Sequence, residues 1–177
     1  MISRPIWLAA LALGFVFPAR GWELPIDQQR FLSVITDNRT AYRQAPNDMA
    51  RGAMRAARAR AICAAFPETA VKDWIGKIKT LSSAGSKAAG VLAVALGRDV
   101  DLTTCTTSLC FDDTHISPDT PLYRTAVVLR VGALVTFSGN FIPAKTDCFR
   151  EISLSDSGSM TAPEFMFRFS DLAPINQ

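Results

Sequence analysis

The sequence predicts an α+β fold, an N-terminal αα-hairpin followed by a small antiparallel β-barrel of five to six strands. The first reason is residues 131–141, VGALVTFSGNF, where Val131, Ala133, Val135, Phe137, Gly139 and Phe141 alternate with largely polar or small residues. That is the period of a strand with one buried face. The second is a change of period at Val71. Apolar residues recur every three or four positions before it and largely every second position after it. The third is punctuation: Pro67 ends the helical region, and Ser and Gly separate the strand-like runs that follow.

Taken in order, the chain opens with a secretory signal peptide. Arg4 precedes the apolar run 6–17, and Ala19-Arg20-Gly21 places small residues where a signal peptidase inspects them. Cleavage is expected before Trp22, an aromatic outside any regular element. An uncleaved anchor is the alternative, but this run is short against the ~20 residues a span needs. The expected division is 1–21 signal peptide, 22–70 helical hairpin and 71–177 barrel, the last two packed as one domain. After signal cleavage no membrane span remains, and the expected location is periplasmic or secreted. Removing Arg4 and Arg20 leaves 17 basic against 16 acidic residues. That balance gives no reason to expect a nucleic acid partner.

A first helix is expected from a cap at Asp27, with Phe31, Val34, Ile35, Asn38, Ala41 and Tyr42 on one face. Residues 45–48 break it and cap a second helix over 49–66, rich in alanine. On that helix Arg51, Arg55 and Arg58 form a basic stripe opposite Ala50, Met54, Ala57, Ala61 and Ala64. Strands are expected over 71–81, 89–96 and 99–104, the second dense enough in apolar residues to be buried on both faces. A loop over 105–121 and one or two helical turns over 121–129 lead to the strand at 131–141. Residues 147–154 alternate again, and 163–170 puts Phe165, Phe167 and Phe169 on one face, read as core along with Trp74.

All four cysteines, Cys63, Cys105, Cys110 and Cys148, follow the signal peptide, so disulfides are expected. Cys105 and Cys110 are close enough in sequence to pair, which leaves Cys63 for Cys148. A four-cysteine zinc site is the rival, without the C-x2-C spacing such sites use.

The strand order, with Trp74, Gly76 and Ile78 in the opening strand and Leu129, Gly132, Val135, Phe137 and Gly139 later, resembles the tRNA-anticodon-like OB-fold proteins of bacterial envelopes. The segment 163–170 is also similar to short uncharacterised exported proteins of alphaproteobacteria. The resemblance covers roughly residues 71–155 and leaves out the hairpin. It implies an OB-like barrel that binds on its second and third strands, here residues 87–104 and the loop 105–115. No nucleic-acid-binding surface accompanies it.

Candidate chemistry is sparse. The only histidine, His115, follows Asp112 and Asp113, a cluster that could hold a metal or form an acid–base pair. The alternative is a plain surface loop. Ser138 lacks a nucleophile elbow, and neither a glycine-rich phosphate loop nor a His-Glu-Xaa-Xaa-His helix is present. No catalytic residue, resident metal or cofactor is therefore assigned. The expected function is an exported, non-enzymatic binding or interaction module whose partner is an envelope protein, a peptide or a glycan. Its candidate ligand-binding residues are Arg51, Arg55, Arg58, Asp112, Asp113 and His115. The alternatives are a small metal-dependent hydrolase using Asp112, Asp113 and His115, or a structural subunit of an envelope assembly that docks through the arginine stripe.

Overall fold

The computed structural model describes residues 23–85, 88–105 and 114–175. The expected signal peptide, Trp22, Lys87, Cys110, Asp112 and Asp113 lie outside the described residues. Helix α1 (Ile26–Gln44) starts after Pro25 and buries Gln28, Phe31, Ile35 and Arg39 at helical spacing. Asp27 is not its cap. It sits inside the first turn and accepts a hydrogen bond from the Trp74 indole nitrogen at 2.7 Å. The second expected helix is two: α2 (Asp48–Gly52), capped by the Asn47 side chain on Ala50 N–H at 3.0 Å, and α3 (Met54–Ala65). Gly52, a poor helix former, ends the first at the break.

A sheet of five long or medium strands follows: β1 (Ala70–Ala84), β2 (Ala89–Gly97), β3 (Val100–Thr103), β4 (Leu134–Phe141) and β7 (Glu164–Pro174). Helix α4 (Pro121–Ala126), capped by Thr120, joins β3 to β4. A two-residue hairpin, β5 (Pro143–Ala144) with β6 (Cys148–Phe149), and helix α5 (Asp156–Thr161) lie between β4 and β7. The order β1-β2-β3-β7-β4 returns to β1, so each strand has two neighbours and the sheet closes on itself. One pairing, β3 with β7, is parallel, so the sheet is not wholly antiparallel.

Two strand boundaries differ from expectation. The strand at 131–141 begins at Leu134, because Gly132 takes a φ of +92° and Val131 stays in the turn, 62% exposed. Residues 147–154 do not form a barrel strand. Cys148 has a φ of +65°, which ends the extended run, and Leu154 lies fully in solvent. The sequence reading also missed α5, whose only local mark is Ser155 capping Gly158 N–H at 3.0 Å.

The core is aromatic. Phe31 of α1 enters one end of the sheet and meets Phe66, Trp74, Phe141 and Phe165 with ring centroids 5.1–5.6 Å away. Phe165, Phe167 and Phe169 are all buried, and Phe149 stacks on Phe141 at 4.2 Å. Below Trp74, the Gln28 amide bonds the backbone of Ile75 in both directions, accepting from its N–H at 2.8 Å and donating to its carbonyl at 2.5 Å. β1 pairs with β2 only from Lys77 onward, so the glutamine completes the strand where its neighbour has ended. At the other end of α1, Arg39 donates to the Asp99 carbonyl at 2.9 Å, in the turn between β2 and β3.

Cys63 on α3 and Cys148 on β6 form a disulfide across 85 residues of sequence. In the loop-entropy picture a closure of that length contributes about 4 to 5 kcal/mol. Cys105 is also disulfide-bonded, but the expected Cys105–Cys110 pairing lies outside the described residues.

Gly139 marks where the sheet is tightest. A Cβ there would stand 2.3 Å from the Arg168 carbonyl oxygen and 2.4 Å from the Phe167 ring. Backbone cannot yield as a flexible side chain does. Gly139→Ala is therefore expected to destabilise the protein by about 3 kcal/mol, and urea unfolding of the variant measures it. A loss within the scatter of a surface substitution would contradict this packing.

Candidate functional site

The arginine stripe does not face solvent as a unit. Only Arg51 stands at the surface, 2.9 Å from Asp48 one turn earlier. Arg55 forks onto Asp147, with Nε to Oδ1 at 2.7 Å and a terminal nitrogen to Oδ2 at 2.9 Å, and reaches Asp156 at 2.7 Å. Arg58 is fully buried: it pairs with Glu151, donates to the Ser159 carbonyl and hydroxyl, and lies over the Phe165 ring at 5.9 Å. The buried face of α3 is Arg58, Ala59 and Ile62, so the alanine stripe is not the packing face. The helix is turned because its arginines have carboxylates waiting on α5 and around β6. These residues join the hairpin to the sheet, and of the three only Arg51 pairs within its own helix rather than with a distant segment.

Burial raises the Glu151 carboxyl above the ordinary carboxylate range, with Arg58 and the Ser159 hydroxyl pulling it back. Burial likewise lowers Arg58 while Glu151 opposes the shift. Arg55 is raised, first by its hydrogen bonds to Asp147 and then by Asp156. The three groups act as one network, in which Ser159 donates to the second Glu151 oxygen at 2.6 Å.

The other expected site is divided by what is described. Asp112 and Asp113 lie outside the described residues, and among those described no group of three metal-ligating side chains is found. His115 borders a cleft of about 420 Å³ beside α4, with Thr120, Leu122, Arg168 and Asp171. Both His115 and Arg168 are engaged by other groups.

The face expected to bind from the resemblance is mostly closed. Every residue of β3 is buried, as is β2 from Gly90 to Val94. What remains open is the end of the sheet under α4. There, β1 and β2 leave a groove of about 320 Å³ with Leu81, Ser83, Val91, Tyr123, Ala126 and Val127 in its walls. Its floor is formed by close approach. A Cβ on Gly90 would stand 3.2 Å from both Ile116 and the Tyr123 ring, so glycine lets the helix lie on the strand. Tyr123 is held by its hydroxyl, which donates to the Ala88 carbonyl at 3.2 Å. Pro121 at the start of α4 and the Thr120 side chain, bonded to Tyr123 N–H at 3.2 Å, set the helix direction. The lining is apolar, with hydroxyls of Ser82, Ser83 and Tyr123 at its rim, a composition that suits an apolar group. Sequence reasoning missed this site, since Tyr123 and Val127 read only as a short helical turn. The available signal was the run 126–129, more apolar than a short surface helix requires.

Comparison with models of protein families, with curated proteins and with solved structures finds no match to the chain. Among the described residues, no helix is long and apolar enough to cross a membrane.

Two outcomes follow from the arginine network. Arg58→Met strands a carboxylate whose side chain has no solvent exposure, and is expected to cost about 3 to 5 kcal/mol. The double change Arg58→Met with Glu151→Leu removes both charges and is expected to recover most of that loss, as denaturant melts will read. The second outcome concerns pH. A carboxyl raised in the folded state contributes most below its unfolded pKa, and loses that contribution as pH rises through the folded value. Melting temperatures of wild type and Glu151→Gln, taken from about pH 4 to about pH 7, are expected to move against the wild type as pH increases. A trend in the other direction would contradict the assignment.

Proposed function

We propose that this protein is an exported, non-enzymatic binding module built on an OB-type barrel, with the groove under α4 as its ligand site. Three features support the barrel reading. An initial meander of three strands is followed by a helix, the fourth strand pairs back on the first, and the last strand closes beside the third. That is the Greek-key order of a five-stranded OB-type barrel. The Cys63–Cys148 disulfide favours an oxidising compartment, as does the apolar run near the N-terminus. The ancestry suggested by the resemblance is part of this proposal, and nucleic acid binding is not carried over with it.

The observation that carries the proposal is the groove itself. Its volume of about 320 Å³ falls at the small end of ligand pockets. An aromatic ring or a short alkyl segment would fill it, while the hydroxyls at its rim orient a polar end. The hairpin occupies the opposite end of the barrel through Phe31, so ligand enters from the α4 side.

The proposal is tested with an environment-sensitive naphthalene dye as an apolar probe. Wild type is expected to enhance its emission saturably. Ser83→Trp, which fills the groove from its exposed rim, is expected to weaken binding about tenfold, equivalent to about 1.4 kcal/mol. Its melting temperature should remain that of the wild type. An absence of saturable binding, or equal affinity for both proteins, would reject the groove as the site.

A further inference from the structure

The turn between α4 and β4 carries a second feature, which shares Val127 with the groove wall, while Val128 and Val131 lie outside that lining. Six large apolar residues are strongly exposed among the described residues, and three of them, Val127, Val128 and Val131, fall within this one turn at 60%, 76% and 62% exposure. Scattered single apolar residues are normal at a surface, but three on one projecting turn form a patch. The turn is not loose. Leu129 N–H bonds Ala126, Ala133 N–H bonds Arg130, and Gly132 N–H bonds Ile78 of β1 at 2.8 Å, so the valines are held outward by the backbone.

Around that patch the charge has one sign. Arg124 and Arg130 flank the valines and are exposed, and Lys77 on β1 lies beneath the turn. The Lys77 methylene chain comes within 3.8 Å of where a Cβ on Gly132 would stand. None of these three cations holds an ion pair or side-chain hydrogen bond among the described residues. Between Asp119 and Asp147 the sequence contains no acidic residue at all. The contrast with α2 and α3 is informative, since Arg51, Arg55 and Arg58 all have carboxylate partners.

We propose that this turn docks the protein on an anionic lipid surface, with Val127, Val128 and Val131 entering the interfacial layer and Arg124, Arg130 and Lys77 on the headgroups. A projecting apolar tip inside a collar of unpaired cations matches that surface in both polarity and charge. A second copy of the chain fits less well, because a two-fold contact through this turn would bring the two cationic collars together. An acidic protein partner also fits less well. The tip offers β-branched aliphatic side chains and no Trp or Tyr anchor of the kind that dominates protein interfaces. A lipid surface needs no shape-matched pocket to receive them.

The test is co-sedimentation of the full chain with vesicles of phosphatidylglycerol and phosphatidylcholine in equal parts, against phosphatidylcholine alone. Because residues 6–17 are themselves apolar, the informative quantity is the difference between variants on one background. Wild type is expected to sediment with the anionic vesicles and to be released by salt. Val128→Asp should weaken partitioning about tenfold, and each of Arg124→Gln and Arg130→Gln about fivefold. Met49→Asp, at a still more exposed apolar position on α2, should leave binding unchanged. So should Ser83→Trp, which separates this inference from the groove. Wild-type melting temperatures for the turn variants would show that the fold is intact. Failure to bind anionic vesicles, or binding that Val128→Asp and the arginine changes leave untouched, would overturn the proposal. So would a concentration-dependent dimer that Val128→Asp dissolves, since a second copy would then be the occupant.

Discussion

The structure depends on a single aromatic insertion. Phe31 on α1 sits at one end of the closed sheet with four other rings around it, contributed by the end of α3, by β1, by β4 and by β7. Burying one such side chain stabilises by about 1.5 to 3 kcal/mol, and well-placed ring pairs each add about 0.5 to 1.5 kcal/mol. The larger consequence is geometric. A small barrel needs its end covered, and here the cover comes from a helix that precedes the barrel in sequence. The polar contacts of α1 follow from that placement. With Phe31 seated, Asp27 and Gln28 reach Trp74 and Ile75, and Arg39 reaches the turn before β3. The helix therefore satisfies backbone groups of the sheet as well as filling its core.

The second layer of the hairpin is fastened differently. Helix α3 meets the sheet through a buried ion pair, a bidentate arginine and a disulfide, all directed at the segment around β6 and α5. That segment has only a two-residue hairpin and a one-and-a-half-turn helix of its own. Such short elements do not hold their shape by local hydrogen bonds. Arg55, Arg58 and Cys148 give it fixed anchor points, and Phe149 is thereby brought onto Phe141. The desolvation of Arg58 and Glu151 is a cost borne for a defined position of this segment.

The two ends of the barrel consequently differ in character. One is sealed by aromatic rings and the hairpin. The other lies under a helix of six residues, with a groove on one side, a cleft on the other and an apolar turn beyond it. Short helices packed through a glycine leave such openings because no large side chain fills the space between helix and strand. Gly90 makes that approach possible and Tyr123 holds it. Surface available for recognition is thus concentrated at the end where the covering layer is thinnest.

The sequence by itself determined the α+β class, the change from helix to strand near Val71, and the buried faces of 134–141 and 164–170. Those properties are local: alternation and helical spacing are repeated over enough residues to outweigh single exceptions such as Leu134. It did not determine which way α3 faces. Alanine and arginine stripes on one helix are read as inside and outside, and only the carboxylates of Asp147 and Glu151, more than ninety residues away, reverse that order. The same holds for Gln28, which becomes core because β2 ends before Ile75 and leaves a strand edge for it to complete. Residues 147–154 alternate like a strand, but the ring already gives each strand two neighbours, so the segment reaches the sheet only as a single bridge, Glu151 to Phe165, at the start of β7 beyond its pairing with β4. The groove and the valine turn were illegible for a related reason. The groove is made of residues from β1, β2, α4 and the turn after it that only folding brings together, the valine turn is set over Lys77 of β1 in the same way, and exposure of an apolar side chain is a property of the tertiary structure alone.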